Sequence, residues 1–167
     1  MMSALKTFWA MFGLLLIASV SCRAENCPWI NAATAGGALG GTVTAKLVHT
    51  SREDVTCEFR LGRGNDVAIL EIAVHTMGSP AQDFQSYRST CSSAATPLRG
   101  IGNEATECTS IDQRGTTTEQ IVARVRDRAF ILKWTFPPAG DSIRVLSRDE
   151  LQDTIRNLAE QVAGSLF

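Results

Sequence analysis

Cysteines carry the most distinctive chemistry in this sequence, and their spacing favours disulfide bonds over a metal site. The chain contains five of them, Cys22, Cys27, Cys57, Cys91 and Cys108. Structural zinc sites take their ligands in close pairs such as C-x2-C. The last four cysteines are isolated, and neither histidine lies near them in the sequence. The sequence therefore predicts no metal site and no cofactor.

An even number of cysteines in an exported chain indicates disulfides, because the compartment is oxidising. Four remain if an N-terminal segment that includes Cys22 is removed, and four cysteines allow three pairings. We favour the sequential pairs, Cys27 with Cys57 and Cys91 with Cys108. These would close loops of about 30 and 17 residues, each worth roughly 3 kcal/mol of stability in the chain-entropy model.

The two histidines are the residues that could act as a catalytic base. His75 shares one face of an apolar strand with Glu71, but four residues of extended chain separate the two by about 13 Å. His49 lies near Ser51 and Asp54 at a predicted turn. A hydrolytic triad needs a nucleophile beside a base and an orienting acid, and no serine has the G-x-S-x-G frame of a nucleophile elbow. The sequence favours a non-catalytic protein; a small periplasmic hydrolase or metal-dependent enzyme that uses His49 or His75 is the alternative.

Three arginines are the candidate anion-binding residues. Arg60, Arg124 and Arg126 are predicted to point outward on strands, and they would form a positive strip for carboxylate or phosphate groups if those strands are neighbours. The alternative is a cross-strand charge ladder, in which the arginines pair with Glu58 and Glu119. The sequence favours the ladder.

The first 24 residues have the pattern of a secretory signal peptide. Lys6 is the only charge in the first 22 residues, and residues 8–20 form an uncharged stretch of thirteen, too short for the about 20 apolar residues that span a bilayer. Cleavage after Ala24 would release a soluble exported protein. Cleavage after Ser21 would make Cys22 the lipidated first residue of a bacterial lipoprotein. An uncleaved membrane anchor is the third interpretation.

Residues 25–167 are predicted to form one domain with no further transmembrane span. Removing residues 1–24 leaves 143 residues, which is enough for a single hydrophobic core. It also shifts the net charge from −1 to −3. An acidic domain argues against a nucleic acid partner, which needs a basic surface.

Hydrophobic periodicity predicts an α+β domain with about six strands. The strand segments alternate apolar and polar residues or are apolar throughout, and they are residues 42–48, 55–61, 67–77, 104–111, 118–126 and 128–136. With three helices the order is α-β-β-β-α-β-β-β-α, which indicates an antiparallel sheet flanked by helices. Trp29 and Trp134 lie on apolar faces and are predicted to be core residues.

Capping signals place the three helices. The first is predicted to begin at Cys27, with Pro28 in its first turn, and to end at two glycines. The second follows Ser79 as N-cap, with Gln82 completing a capping box. The third follows Ser147, with Glu150 in the same role.

Four segments resemble a broad group of small secreted proteins and lipoproteins of bacteria. They are CPW followed by NAATAGGALGG from residue 27, the strand residues CEF at 57–59, the loop LRGIGNEA at 98–105, and the C-terminal helix. Some members of that group resemble the PsbP-like α/β/α sandwich. The resemblance implies a central antiparallel sheet with helices on both sides and a disulfide from the first helix to an early strand, here Cys27 to Cys57. It implies no catalytic residues.

Together these features predict an exported, disulfide-stabilised binding or interaction module. Its location would be the periplasm or the exterior, or a membrane surface if Cys22 carries a lipid. Its partner would be an envelope protein or a small ligand, and not nucleic acid. An envelope structural protein without a small ligand is a further alternative.

Overall fold

The computed structural model describes residues 27–49, 51, 54–63, 66–91, 95–138 and 147–167. The predicted signal peptide, both predicted cleavage positions and Cys22 lie outside these ranges. Three helices are described, α1 (Ala32–Leu39), α2 (Pro80–Arg88) and α3 (Arg148–Ser165). The strands are β1 (Thr44–His49), β2 (Val55–Arg63), β3 (Asp66–Thr76), β4 (Thr96–Leu98), β5 (Glu104–Ile111), β6 (Thr117–Val125) and β7 (Arg128–Phe136).

These strands form one antiparallel sheet in the order β1-β2-β3-β7-β6-β5-β4. The predicted class, α+β with an antiparallel sheet flanked by helices, is therefore confirmed. The sheet has seven strands, however, instead of about six. The additional strand, β4, contains Pro97, a residue that argues against a central strand because it has no N–H to donate. β4 can contain this proline, because the strand has only three residues and lies at the edge of the sheet.

The helices divide unequally between the two sides of the sheet. We call the side that carries α1 and α3 the first face and the side that carries α2 the second face. The first face holds the main core, in which Phe59, Leu70 and Trp134 are at most 1% exposed. The second face holds a smaller cluster around Phe84, which packs on Val122 and neighbouring residues of β6 and β7.

One helix start and one capping box differ from the prediction, while α2 begins at Pro80 after Ser79 as predicted. α1 begins at Ala32 instead of Cys27, because the Asn31 side chain accepts a hydrogen bond from the Thr34 N–H and acts as N-cap. At α2 the Ser79 side chain makes no cap bond, and its backbone N–H donates to the Asp83 carboxylate at 2.8 Å instead of to Gln82. The capping box of α3, formed by Ser147 and Glu150, is confirmed.

Candidate binding surface

Two disulfides fix the helical layers to the sheet. Cys27 is bonded to Cys57 of β2 and Cys91 to Cys108 of β5, with Cα–Cα distances of 5.7 Å in both. These are the two sequential pairs that the cysteine pattern favours. The first bond is buried under α1, and the second joins the segment after α2 to the second face. The disulfides indicate an oxidising, exported environment.

α2 covers only part of the second face. Phe84 packs on Met77, Val122, Ala129 and Ile131, which lie at and beyond the end of β3 and on β6 and β7. Ala73, Thr106, Cys108 and Gln120 on the same face are also buried. Along β1, β2, the first part of β3 and the end of β7, the second-face side chains are partly or fully exposed, and no helix of the described residues packs over them. We call this region the open face, and it comprises Lys46, Glu58, Arg60, Ile69, Glu71, Lys133 and Thr135.

Strand register places four charged residues of the open face in one row across the sheet. Lys46 of β1 lies opposite Glu58 of β2, Glu58 opposite Glu71 of β3, and Glu71 opposite Lys133 of β7. Directly opposite residues in an antiparallel pair have Cβ atoms about 5 Å apart. The row therefore has two adjacent carboxylates at its centre and one lysine at each end.

Adjacent carboxylates cost stability, because like charges directly opposite on neighbouring strands repel. Arg60 offsets part of this cost on one side, since its guanidinium lies 2.6 Å from the Glu58 carboxylate. That hydrogen bond is the main reason why the pKa of Glu58 lies below its ordinary value, and Lys46 adds a smaller effect. In return the pKa of Arg60 is raised, chiefly by the same hydrogen bond.

The three arginines that the sequence predicts as anion-binding residues do not lie together in the structure. Arg60 and Arg124 both belong to the second face, but β3 and β7 separate their strands, and strand spacing and rise put them roughly 25 Å apart. Arg126 lies in the turn after β6, with a φ of 55°, and its guanidinium stands 5.6 Å from the centre of the Phe167 ring. The condition for a continuous positive strip is therefore not met.

The predicted charge ladder also has different members. Arg60 pairs with Glu58, which lies two residues away on the same strand. Arg124 pairs with Glu104 of β5 at 2.6 Å instead of with Glu119. Glu119 faces the other way, into the first face, where it is 1% exposed and accepts a hydrogen bond from the Thr109 hydroxyl at 2.6 Å.

His75 belongs to a small polar cluster at the end of β3. Its Nδ1 lies 3.3 Å from the Asp54 carboxylate, and its ring stacks on Tyr87 of α2 with centroids 5.1 Å apart. Burial raises the pKa of Tyr87, and the Asp54 and Asp83 carboxylates add to the rise. Glu71, the residue that shares a strand face with His75, is paired in register with Lys133 instead. The cluster contains an acid–histidine pair of the kind that orients a catalytic base.

His49 ends β1, and its side chain lies outside the described residues. Within the described ranges no three His, Cys, Asp or Glu side chains lie close enough together to hold a metal ion.

An ion pair between a buried carboxylate and a partly exposed guanidinium lies on the first face at α3. Glu107 of β5 is 4% exposed and accepts a hydrogen bond at 2.6 Å from Arg156 of α3. This bond is the main reason why the pKa of Arg156 is raised. Since it joins the helix to the sheet, we interpret the pair as part of the core.

Trp134 is a buried core residue as predicted, but Trp29 is not. Trp29 is only half-buried, and it lines a cleft of about 280 Å³ that is open to solvent. A second shallow depression, of about 560 Å³, runs along the glycines of α1.

Part of the open face could have been found from the sequence. The hairpin between β2 and β3 pairs Arg63 with Asp66. Five residues farther from the turn on each strand, Glu58 lies opposite Glu71. The sequence GRGND, which predicts a hairpin turn, is the signal that fixes this register. The pairing of Glu71 with Lys133 joins strands that are distant in sequence, so no local pattern reports it.

Comparisons with known proteins give little further information. No family model and no curated protein matches the chain. A crystal structure of a protein from Bacteroides thetaiotaomicron VPI-5482 is similar at 11% sequence identity with a TM-score of 0.37. The match covers 63% of this chain and 43% of that one. This likeness carries no argument about fold or function, and the resemblance to the PsbP-like group stays a prediction. No described helix is both long and apolar enough to cross a membrane.

Proposed function

We propose that this protein is an exported, disulfide-stabilised interaction module that binds an envelope protein through its open face. The observation that carries the proposal is the row Lys46–Glu58–Glu71–Lys133, which leaves two carboxylates side by side on an uncovered sheet. Charges arranged against stability are expected where a sequence serves function. A basic side chain of a partner, placed between the two carboxylates, would relieve their repulsion.

The scaffold supports this role. Two disulfides and a continuous sheet hold the row in a fixed geometry, so little entropy is lost when a partner docks. Charge pairs at such a surface favour the right partner and speed its association more than they raise affinity. A module of this kind would bind moderately and selectively.

Charge reversal on the open face tests the proposal. In an affinity capture from the native envelope, Glu71→Lys should lose a stoichiometric partner that the wild type retains. Asp153→Lys is the matched control, because Asp153 is exposed on α3 at the first face and its substitution changes the net charge by the same amount. Equal retention by both variants would contradict the proposal.

Export and anchoring are tested by intact mass. We propose cleavage after Ala24 and a soluble periplasmic or extracellular domain, with lipidation at Cys22 as the alternative location. The mass of the purified protein reports its first residue and any diacylglyceryl group. Reduction should add four hydrogens for the two disulfides, and the absence of that shift would contradict the pairing.

A small hydrolase is the second candidate function, and the His75–Asp54 pair favours it. Replacing both histidines with alanine separates the two functions. An interaction module should keep its envelope partner after His49→Ala and His75→Ala, whereas an enzyme should lose its activity. An envelope structural protein would be distinguished by a constant partner and the absence of any small ligand.

A further inference from the structure

The cleft beside Trp29 lies on the opposite side of the sheet from the open face. It is formed where the segment before α1 meets the last part of α3. Its lining residues are Cys27, Pro28, Trp29, Ile30, Asn31, Thr34 and Gln161. Its volume of about 280 Å³ is just below the range for ligand pockets, about 300–1,000 Å³. The cleft therefore suits a single ring rather than an extended ligand.

The backbone that carries Trp29, at the edge of this cleft, is anchored on both sides. Cys27 is tied to β2 by its disulfide, and Ile30 is 5% exposed and packs in the main core. Trp29 lies between these two anchors. Since this backbone is already ordered, a ligand that binds beside Trp29 costs little backbone conformational entropy.

The polar groups of the cleft are neutral. Cys27 is oxidised, and none of the other lining residues has an ionisable side chain. The Asn31 side-chain oxygen already accepts from the Thr34 N–H, which leaves its NH2 group to donate. The Gln161 carboxamide is exposed and makes no hydrogen bond to any described residue, so both its donor and its acceptor can reach a ligand.

This combination matches one class of ligand. A sugar ring presents an apolar face of C–H groups, which packs on an aromatic face, and hydroxyls that both donate and accept. Carboxamides do the same. We infer that the Trp29 cleft binds a neutral sugar ring, as a free monosaccharide or as one unit of an envelope glycan. The inference goes beyond the proposed function and does not rest on the open face.

Tryptophan fluorescence tests this inference directly. The chain has three tryptophans, Trp9, Trp29 and Trp134, and Trp134 is 1% exposed. The emission that is lost in Trp29→Phe identifies the contribution of Trp29. Glucose, galactose and N-acetylglucosamine should be titrated, with glucuronate as an anionic and choline as a cationic comparison. We expect at least one neutral sugar to change the Trp29 emission with a dissociation constant of about 1 mM, typical of a small ligand with few hydrogen bonds.

Variants on α3 supply the control. Gln161→Ala should weaken sugar binding about tenfold, because it removes the carboxamide contacts. Gln152→Ala should leave it unchanged, since Gln152 lies on the same helix about 13 Å away. Both residues are at the surface, so both variants should fold. The wild-type mass change on reduction and the wild-type circular dichroism spectrum would verify this.

Three results would overturn the inference. They are no response to any neutral sugar at tens of millimolar, an equal response to glucuronate or choline, and equal affinity in the Gln161 and Gln152 variants. The Glu71→Lys variant should bind the sugar like the wild type. Loss of the envelope partner with retention of the sugar would thus separate the open face from the cleft.

Discussion

The first face of the sheet carries two helices and the main core, whereas the second face carries one short helix and leaves the open face uncovered. Their polar groups also differ. On the first face the carboxylate of Glu107 is buried and pairs with Arg156 of the covering helix. On the second face Glu58 and Glu71 lie side by side at the surface. This difference indicates that one side of the sheet stabilises the domain, whereas the other presents charged side chains to the solvent.

Core truncation should show the largest difference between the faces. Phe59 and Phe84 are both fully buried, the first in the main core and the second under α2. Phe59→Ala should destabilise the domain by about 4–5 kcal/mol and Phe84→Ala by about 3 kcal/mol, because a cavity under a short surface helix can collapse more easily. Urea unfolding measures both. Equal costs would mean that α2 belongs to the same core as α1 and α3.

Removing each disulfide should sharpen the same comparison. Replacing either cysteine pair with serine should cost about 3 kcal/mol, since the loop-closure entropy depends only on the logarithm of loop length. The two losses should increase hydrogen exchange in different parts of the domain. Loss of Cys91–Cys108 should raise amide hydrogen exchange in α2 and leave the first face protected, while loss of Cys27–Cys57 should affect α1 and β2. Uniform changes across the domain in both variants would contradict two separately held faces.

A stabilising substitution on the open face is the next smaller effect. Glu71→Thr removes one of the two opposed carboxylates and introduces a residue suited to strands. It should raise the free energy of unfolding by about 0.5 kcal/mol and weaken the binding of the envelope partner. Asp153→Asn on the first face is the control and should change neither quantity. A destabilised Glu71→Thr protein would show that the row is a structural ladder.

The smallest expected effect concerns the pH dependence of the Glu58–Arg60 pair. Because the pKa of Glu58 is lowered in the folded state, its contribution to stability is present above the unfolded pKa of about 4.3. That contribution is lost as the pH falls through the folded pKa. Arg60→Ala should raise the pKa of Glu58 in an NMR titration and leave stability at neutral pH almost unchanged, since the pair is partly exposed. An unchanged pKa would remove Arg60 as the cause.

Local patterns were enough to predict much of the scaffold. The Ser147–Glu150 capping box, the alternation of β2 and the sequential disulfides all depend on residues that are close in the sequence or few in number. The predicted start of α1 at Cys27 is wrong, although Pro28 suits the first turn of a helix. The segment at Cys27 is instead held by its disulfide, and Asn31, itself a good N-cap, begins the helix.

The candidate site was less predictable than the scaffold for a physical reason. Which way a strand residue points follows from alternation, but which residues share a row depends on strand order and register. Arg60 and Arg124 point to the same face, yet two strands lie between theirs. Glu119, which the predicted ladder pairs with the arginines, is buried, because it shares the inward side of β6 with Ile121 and lies opposite Trp134. The long-range pairing of β3 with β7 decides the separation of Arg60 from Arg124.

The central claim is that the open face binds an envelope protein through its adjacent carboxylates. The most direct measurement compares capture of envelope proteins by the wild type, Glu71→Lys and Asp153→Lys at low and at physiological salt. We predict one stoichiometric partner with the wild type and with Asp153→Lys, weakened by salt, and its loss with Glu71→Lys. Capture of the same partner by Glu71→Lys at wild-type yield would contradict the account.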